Sequence, residues 1–246
     1  MDTYFKNRRS VRSFTDRAVE RETIEKIVEA AAKAPTTGNM QLYTVVATLE
    51  PENRRALAES HFNQPAATGA KALLTVCADV NRFERWCRLE DADPGFRNLQ
   101  AFFYAVFDAV VFAQQLVTVA EKGGLGTCYL GTTLFNAPET AAQLHLPSGV
   151  VPLLTIAMGY PGGEGEETER MATKGILAFE SYPQFSDEEI MEVFKPKDDY
   201  PANRRYIEEN GKKTLAQVFT DIRYPRAMNE EFSMKLRDYL ARNFFN

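Results

Sequence analysis

Arg8, Arg9, Ser10 and Arg12 bring three guanidinium groups and a hydroxyl into five consecutive positions of a 246-residue chain whose net charge is −5. Arginine presents a flat fork of N–H donors that matches phosphate oxygens in pairs, and serine adds a short hydroxyl donor. A local surplus of guanidinium in an acidic protein therefore asks for an anionic ligand. The competing reading is a solvated basic patch near a chain end, because charge runs usually face water. The fragment by itself leaves both open.

Little else in the chain announces chemistry of its own. His61 and His145 are far apart, and Cys77, Cys87 and Cys128 form no CxxC pair, so neither a metal site nor a disulfide framework is expected. There is no GxSxG, SxxK, phosphate-binding P-loop or kinase set. The glycine cluster from Gly123 to Gly131 lacks the dinucleotide fingerprint, since Tyr129 stands where GxGxxG needs glycine and the cluster follows a helix rather than a strand. No side chain is expected to serve as an obligatory acid or base. Phosphate-type arginines without such apparatus point to chemistry borrowed from a cofactor. The acidic balance argues against nucleic acid as a partner. The N-terminal residues lack an apolar signal core, so a cytoplasmic, reducing setting is expected.

These residues need elements to hold them. The Arg segment reads as the end of one helix, and Thr15 and Asp16 precede a helix over Arg21–Lys33 with apolar residues at i, i+3 and i+4. Pro35 stops that helix, and Gly38 with Asn39 can adopt left-handed dihedrals. Strands are expected at Leu42–Thr48, Ala72–Ala78 and Val150–Met158, the second buried on both faces. Helices are expected at Pro51–Ser60 and Asn136–Leu144, and Gln64–Gly69 reads as a loop or the start of a short helix. Asn81–Asn98 reads as a polar excursion, Gly162–Glu169 as an exposed mobile loop and Ile176–Phe179 as a possible strand. Leu99–Lys122 is apolar almost all round and unbroken by glycine or proline, which requires burial on more than one side. Gln100, Asp108, Gln114 and Gln115 interrupt it, which argues against a membrane span. A two-fold homodimer packing this helix against its copy is favoured. An amphipathic helix near Asn229–Asn243 closes the chain.

Three segments recur together in this order and spacing: Arg8-Arg9-Ser10-Val11-Arg12-Ser13-Phe14-Thr15-Asp16, Ala34-Pro35-Thr36-Thr37-Gly38-Asn39-Met40-Gln41, and Gly124-Leu125-Gly126-Thr127-Cys128-Tyr129-Leu130-Gly131. Over about Phe5 to Tyr182 the chain resembles the FMN-dependent nitroreductase family. The helical extension beyond Ser186, with Asn203-Arg204-Arg205, is similar to the NADPH-preferring branch of oxygen-insensitive nitroreductases and flavin reductases. The resemblance implies an α+β fold, a mixed sheet flanked by helices, with the long helix at a homodimer interface where FMN binds. It implies one domain over 1–246 with 186–246 as a C-terminal helical extension.

Carried over by motif, Arg8, Arg9, Ser10 and Arg12 would hold the FMN phosphate, and Arg170 would return to it. Thr36, Thr37, Gly38 and Asn39 would line the flavin of the neighbouring subunit. Gln64 would face the polar edge of the ring, with Tyr129, Leu130 and Gly131 against it. Thr132 departs from the glycine often found at that point. Arg204 and Arg205 are the candidates for a nicotinamide 2′-phosphate, and spacing does not choose between them. The implied activity is two-electron reduction of nitroaromatics, quinones or related small acceptors, with NADPH or NADH as donor, in two half-reactions. The rival readings are a flavin reductase or dehalogenase-like enzyme, and an FMN-binding sensor or storage protein without turnover.

Overall fold

A computed structural model describes residues 2–246, and these fall into two compact units, 2–166 with Phe232–Asn246, and Glu167–Glu231. In the first unit the order is α1 (Thr3–Asn7), α2 (Arg21–Ala31), β1 (Tyr43–Thr48), α3 (Pro51–Glu59), α4 (Pro65–Gly69), β2 (Ala72–Asp79), α5 (Asn81–Leu89), α6 (Leu99–Lys122), β3 (Gly126–Leu130), α7 (Ala137–Gln143) and β4 (Val150–Gly159). The strands form one sheet in the order β1-β2-β4-β3. All three pairings are antiparallel among the described residues, where the family resemblance implies a mixed sheet; the α+β class is as expected. Every residue of β2 is buried, because helices cover both faces of the sheet.

Alternation along β2 divides the core. Ala72, Leu74 and Val76 join the cluster built with α2 and α6, including Ile24, Ile27, Phe112 and Leu116. Leu73 points the other way, into a cluster with Leu57 and Ala58 of α3, Ala66 and Ala67 of α4, and Cys128 and Leu130 of β3. On that side Thr75, Thr155 and Thr133 satisfy one another through hydroxyl bonds of 3.0 and 3.1 Å, so their burial leaves no orphaned group.

Helix α6 starts and ends where its apolar run predicts. The Asn98 side chain accepts from Ala101 N, and Gly123 follows the last turn. By length and composition it is apolar enough to cross a membrane, yet Ala105, Ala109, Phe112, Ala113, Leu116 and Ala120 are packed in the core. Leu99, Phe103, Phe107, Val110 and Val111 of the same helix are exposed. Asn81–Leu89 is a regular helix rather than an irregular excursion, its buried Glu84 held by Arg97 at 2.7 Å. Residues 232–246, the end of α11 (Arg226–Asn243) and its tail, return to this unit, where Phe244 is fully buried and Gly149 N donates to Asn243 O at 2.7 Å.

The second unit contains α8 (Asp187–Asp198), α9 (Pro201–Glu209) and α10 (Leu215–Gln217), which runs into a π-helical stretch at Val218–Arg223. Helix α8 opens with a capping box between Ser186 and Glu189. Ile176–Phe179 is not a strand: a 3₁₀ turn at Thr173–Gly175 precedes it, and Ile176, Leu177 and Phe179 are exposed. Its apolar residues lack the strand partner that would bury them among the described residues.

Candidate functional site

The Arg segment is extended, not helical. Helix α1 ends at Asn7, and the chain then runs along the open edge of β3, where Val11 N donates to Thr127 O at 2.9 Å. On its other side Gly162 N donates to Ser13 O, and bridges pair Ser10 with Glu166 and Phe14 with Pro161. Residues 162–166 are thus zipped to the Arg segment rather than forming a free loop. Glycine makes the approach possible: a Cβ on Gly126 would stand 2.7 Å from the Val11 side chain, and one on Gly165 would stand 2.6 Å from Ser10 O.

Pairing separates the three arginines. Arg8 donates from Nε and Nη2 to the two carboxylate oxygens of Glu121, at 3.3 and 3.2 Å. Glu121, at the C-terminal end of α6, also accepts from Tyr4 Oη at 2.6 Å and Thr127 Oγ1 at 2.5 Å. Burial and this carboxylate push the Tyr4 hydroxyl up to about 12, so it stays a donor. Arg9 donates to Gly165 O at 3.3 Å and lies 3.8 Å from Glu164. Arg12 makes no hydrogen bond or ion pair among the described residues. Its charge is felt at Cys128, whose thiol burial pushes up and Arg12 and Arg8 pull down; burial prevails. Tyr4, Arg8, Arg9, Glu121, Gly126 and Gly163 line an open cavity of about 800 Å³.

Thr36–Asn39 lies elsewhere on the unit. A 3₁₀ turn spans Thr37–Asn39, with Gly38 at φ 56° and Asn39 at φ 57°. Asp108, buried in α6, holds both ends of the loop: Thr37 N donates to Oδ1 at 2.7 Å and Leu42 N to Oδ2 at 3.1 Å. Thr36 Oγ1 is buried without a partner among the described residues. Asp108 and Glu121 are thirteen residues apart on one helix, so their anchor points are separated by about 20 Å of helical rise. Within one chain, the loop and the Arg segment do not meet.

Gln64 and the β3 end do meet. Gln64 precedes α4, and its Nε2 donates to Thr132 Oγ1 at 3.1 Å. Gly131 opens the 3₁₀ turn Gly131–Thr133, and a Cβ on it would touch nothing within 4 Å. Tyr129 donates to Gln114 Oε1 at 3.3 Å, and burial pushes its hydroxyl up to about 12. The Leu130 side chain belongs to the second core cluster, so only its backbone can face a ligand.

In the second unit, Arg170 donates to the Glu169 carbonyl at 2.8 Å and to Thr168, and Arg204 is paired with Asp199 at 2.6 Å. Asp108 and Glu121 escape a search for ligand-binding motifs. The only signal for Asp108 is a lone carboxylate inside an apolar helix; Glu121 reads as an ordinary helix-end charge.

Residues 5–160 match the nitroreductase family. Over 245 residues the chain is 28% identical to the FMN reductase (NADPH) of Bacillus subtilis strain 168, covering 98% of this chain and 96% of that protein. It is also 28% identical to an oxygen-insensitive NADPH nitroreductase of Salmonella typhimurium strain LT2, with 74% of each chain covered. A crystal structure from Bacteroides fragilis NCTC 9343 superposes with a TM-score of 0.96 at 40% identity, covering 99% of each chain. With its Arg segment, anchored loop and open glycine on the matched part of the fold, this chain belongs to the nitroreductase family.

Proposed function

We propose that the protein is an FMN-dependent NAD(P)H oxidoreductase that works as a cytoplasmic homodimer and reduces nitroaromatics, quinones or related small acceptors. The observation that carries the reading is Arg12, a guanidinium without hydrogen bond or ion pair among the described residues, on a backbone segment pinned to the sheet edge. An unmatched cation two residues along the chain from a serine suits a phosphate monoester. Ser10 Oγ accepts from Arg8 Nη1 at 3.4 Å, which leaves its own proton for an anion. Open space over Gly131 suits a flat ring lying close to the backbone. The residues present therefore fit FMN.

When bound, FMN would supply the redox chemistry, a two-electron transfer linking a nicotinamide donor to a small acceptor. The chain binds and orients. Arg12, Ser10 and Arg9 would hold the phosphate, and Arg8 keeps the segment in place through Glu121. Gln64 hydrogen-bonds the polar edge of the ring, where negative charge gathers on reduction. Tyr129 and the Leu130–Gly131 backbone flank the ring. No side chain need exchange a proton with the substrate.

Two observations support the dimer. Leu99, Phe103, Phe107, Val110 and Val111 leave an apolar stripe on α6, which a second copy of the same helix would cover. The separation of about 20 Å between the Asp108 and Glu121 anchors also means that Thr36–Asn39 reaches a flavin on the other copy more naturally than its own.

The test is an absorbance spectrum of the purified protein, followed by anaerobic NADPH or NADH. Bands at about 370 and 450 nm that bleach with either donor are expected, and the more effective donor is then known. Bands that persist would replace the enzyme with a flavin-binding protein. A colourless protein that also ignores added FMN would overturn the reading.

A further inference from the structure

His61 and Gln64 converge on one hydroxyl. His61 Nδ1 lies 2.9 Å from Thr132 Oγ1, and Gln64 Nε2 donates to the same oxygen at 3.1 Å. The backbone between them is strained to allow it: Phe62 and Asn63, neither of them glycine, stand at φ 55° and 50°. Consecutive left-handed residues of this kind cost energy and persist where surrounding structure dictates them. Here Asn63 N bonds to Ala58 O at 2.9 Å, and Gln64 N bonds to His61 O at 3.2 Å, closing the turn back on α3. The turn is tied to α7 by Asn136 Nδ2 donating to Ser60 O at 2.8 Å and by Ser60 Oγ donating to Gln143 Oε1 at 3.0 Å.

We propose that Thr132 and His61 are positioning residues for Gln64, holding its side-chain amide in the rotamer that meets the polar edge of the flavin ring. The proposal rests on the flavin reading given above. A free glutamine loses rotamer freedom when it binds, and a rotamer already fixed removes that cost. His61 is fully buried, and burial drives its imidazole down to about 4. It is therefore neutral at physiological pH and acts through its ring nitrogen, not through charge. Its Nε2 has no partner among the described residues, an uncommon cost for a buried group and a further mark of a ring placed for its Nδ1 contact. Thr132 follows the open Gly131, and its hydroxyl, 3.1 Å from Gln64 Nε2, is a fixed polar group from which Gln64 can be steered.

The test is a double-mutant cycle read in FMN affinity, measured by quenching of flavin fluorescence on titration into apoprotein. Thr132→Val keeps the side-chain volume and removes the hydroxyl; His61→Phe removes the ring nitrogen. Each is expected to raise the FMN Kd two- to tenfold, about the worth of one hydrogen bond, and to shift the long-wavelength flavin band. In a Gln64→Leu background neither is expected to weaken binding further, because the amide they hold is gone. Full additivity with Gln64→Leu, or a Thr132→Val protein that binds FMN as tightly as the parent, would overturn the proposal. Thr132→Val is the safeguard should His61→Phe fail to fold. A parent protein that does not bind FMN would instead overturn the flavin reading, and this proposal with it.

Discussion

Thr37 donates its backbone N–H to the Asp108 carboxylate at 2.7 Å, across 71 residues of sequence, and the other oxygen of that carboxylate accepts from Leu42. One buried acid in the middle of α6 thereby sets both ends of the loop that carries Gly38 and Asn39. Replacing Asp108 by Ala orphans two backbone donors. We expect a loss of roughly 2–4 kcal/mol in stability and faster amide exchange at Thr37 and Leu42. Denaturant unfolding and hydrogen exchange check it; unchanged protection at both amides would dismiss the anchor.

Arg8 and Arg12 should separate under mutation. Arg12→Ala removes an unpaired surface cation, so stability should hold within about 0.5 kcal/mol. FMN affinity should fall roughly ten- to a hundredfold, the worth of a charge-assisted bond. Arg8→Ala leaves Glu121, whose side chain is 9% exposed, with only Tyr4 and Thr127 as donors. It should cost stability, about 2–4 kcal/mol. Thermal unfolding beside flavin retention distinguishes the two, and an Arg12→Ala protein that keeps its full flavin would count against the phosphate assignment.

His61 makes stability depend on pH. Its imidazole is at about 4 in the folded protein, against 6.5 when unperturbed. The unfolded chain therefore binds the extra proton first as pH falls. Stability from this group is complete above about pH 6.5 and is lost down to about 4, at roughly 1.4 kcal/mol per pH unit. Urea midpoints of the parent should drop between pH 7 and 4.5 more than those of His61→Phe. Equal drops would show that the imidazole is not protected by burial.

Phe107 lies on the exposed stripe of α6 and is 57% exposed in the single chain. Phe107→Asp puts a charge where two apolar helices are proposed to meet. Sedimentation should show a monomer, and flavin retention should fall with the loss of the other copy's Thr36–Asn39 loop. A monomer that holds FMN as tightly as the parent would mean that one chain supplies the whole site.

Local rules were enough to read much of this protein. Unbroken apolar periodicity marks α6 from Leu99 to Lys122, and the run of Leu, Val and Thr marks β2 as buried on both faces. Gly38 and Asn39 adopt the left-handed dihedrals their residue types permit. Other stretches were opaque because their conformation comes from distant partners. Glycine and glutamate between Gly162 and Glu166 resemble a mobile loop until the Arg segment zips against them. Ile176–Phe179 has strand composition but no strand beside it among the described residues.

The sequence by itself determined the chemistry on offer: a cluster of guanidiniums, a loop able to take left-handed turns, and a helix too apolar to stand in water. Those follow from residue type and short-range spacing. Which guanidinium is available was decided only by the tertiary structure. Arg8 is neutralised by a carboxylate 113 residues away, brought to it by the full length of α6, while Arg12, four residues further on, meets none. Pairing between charges depends on distance in space, and no local pattern carries that information.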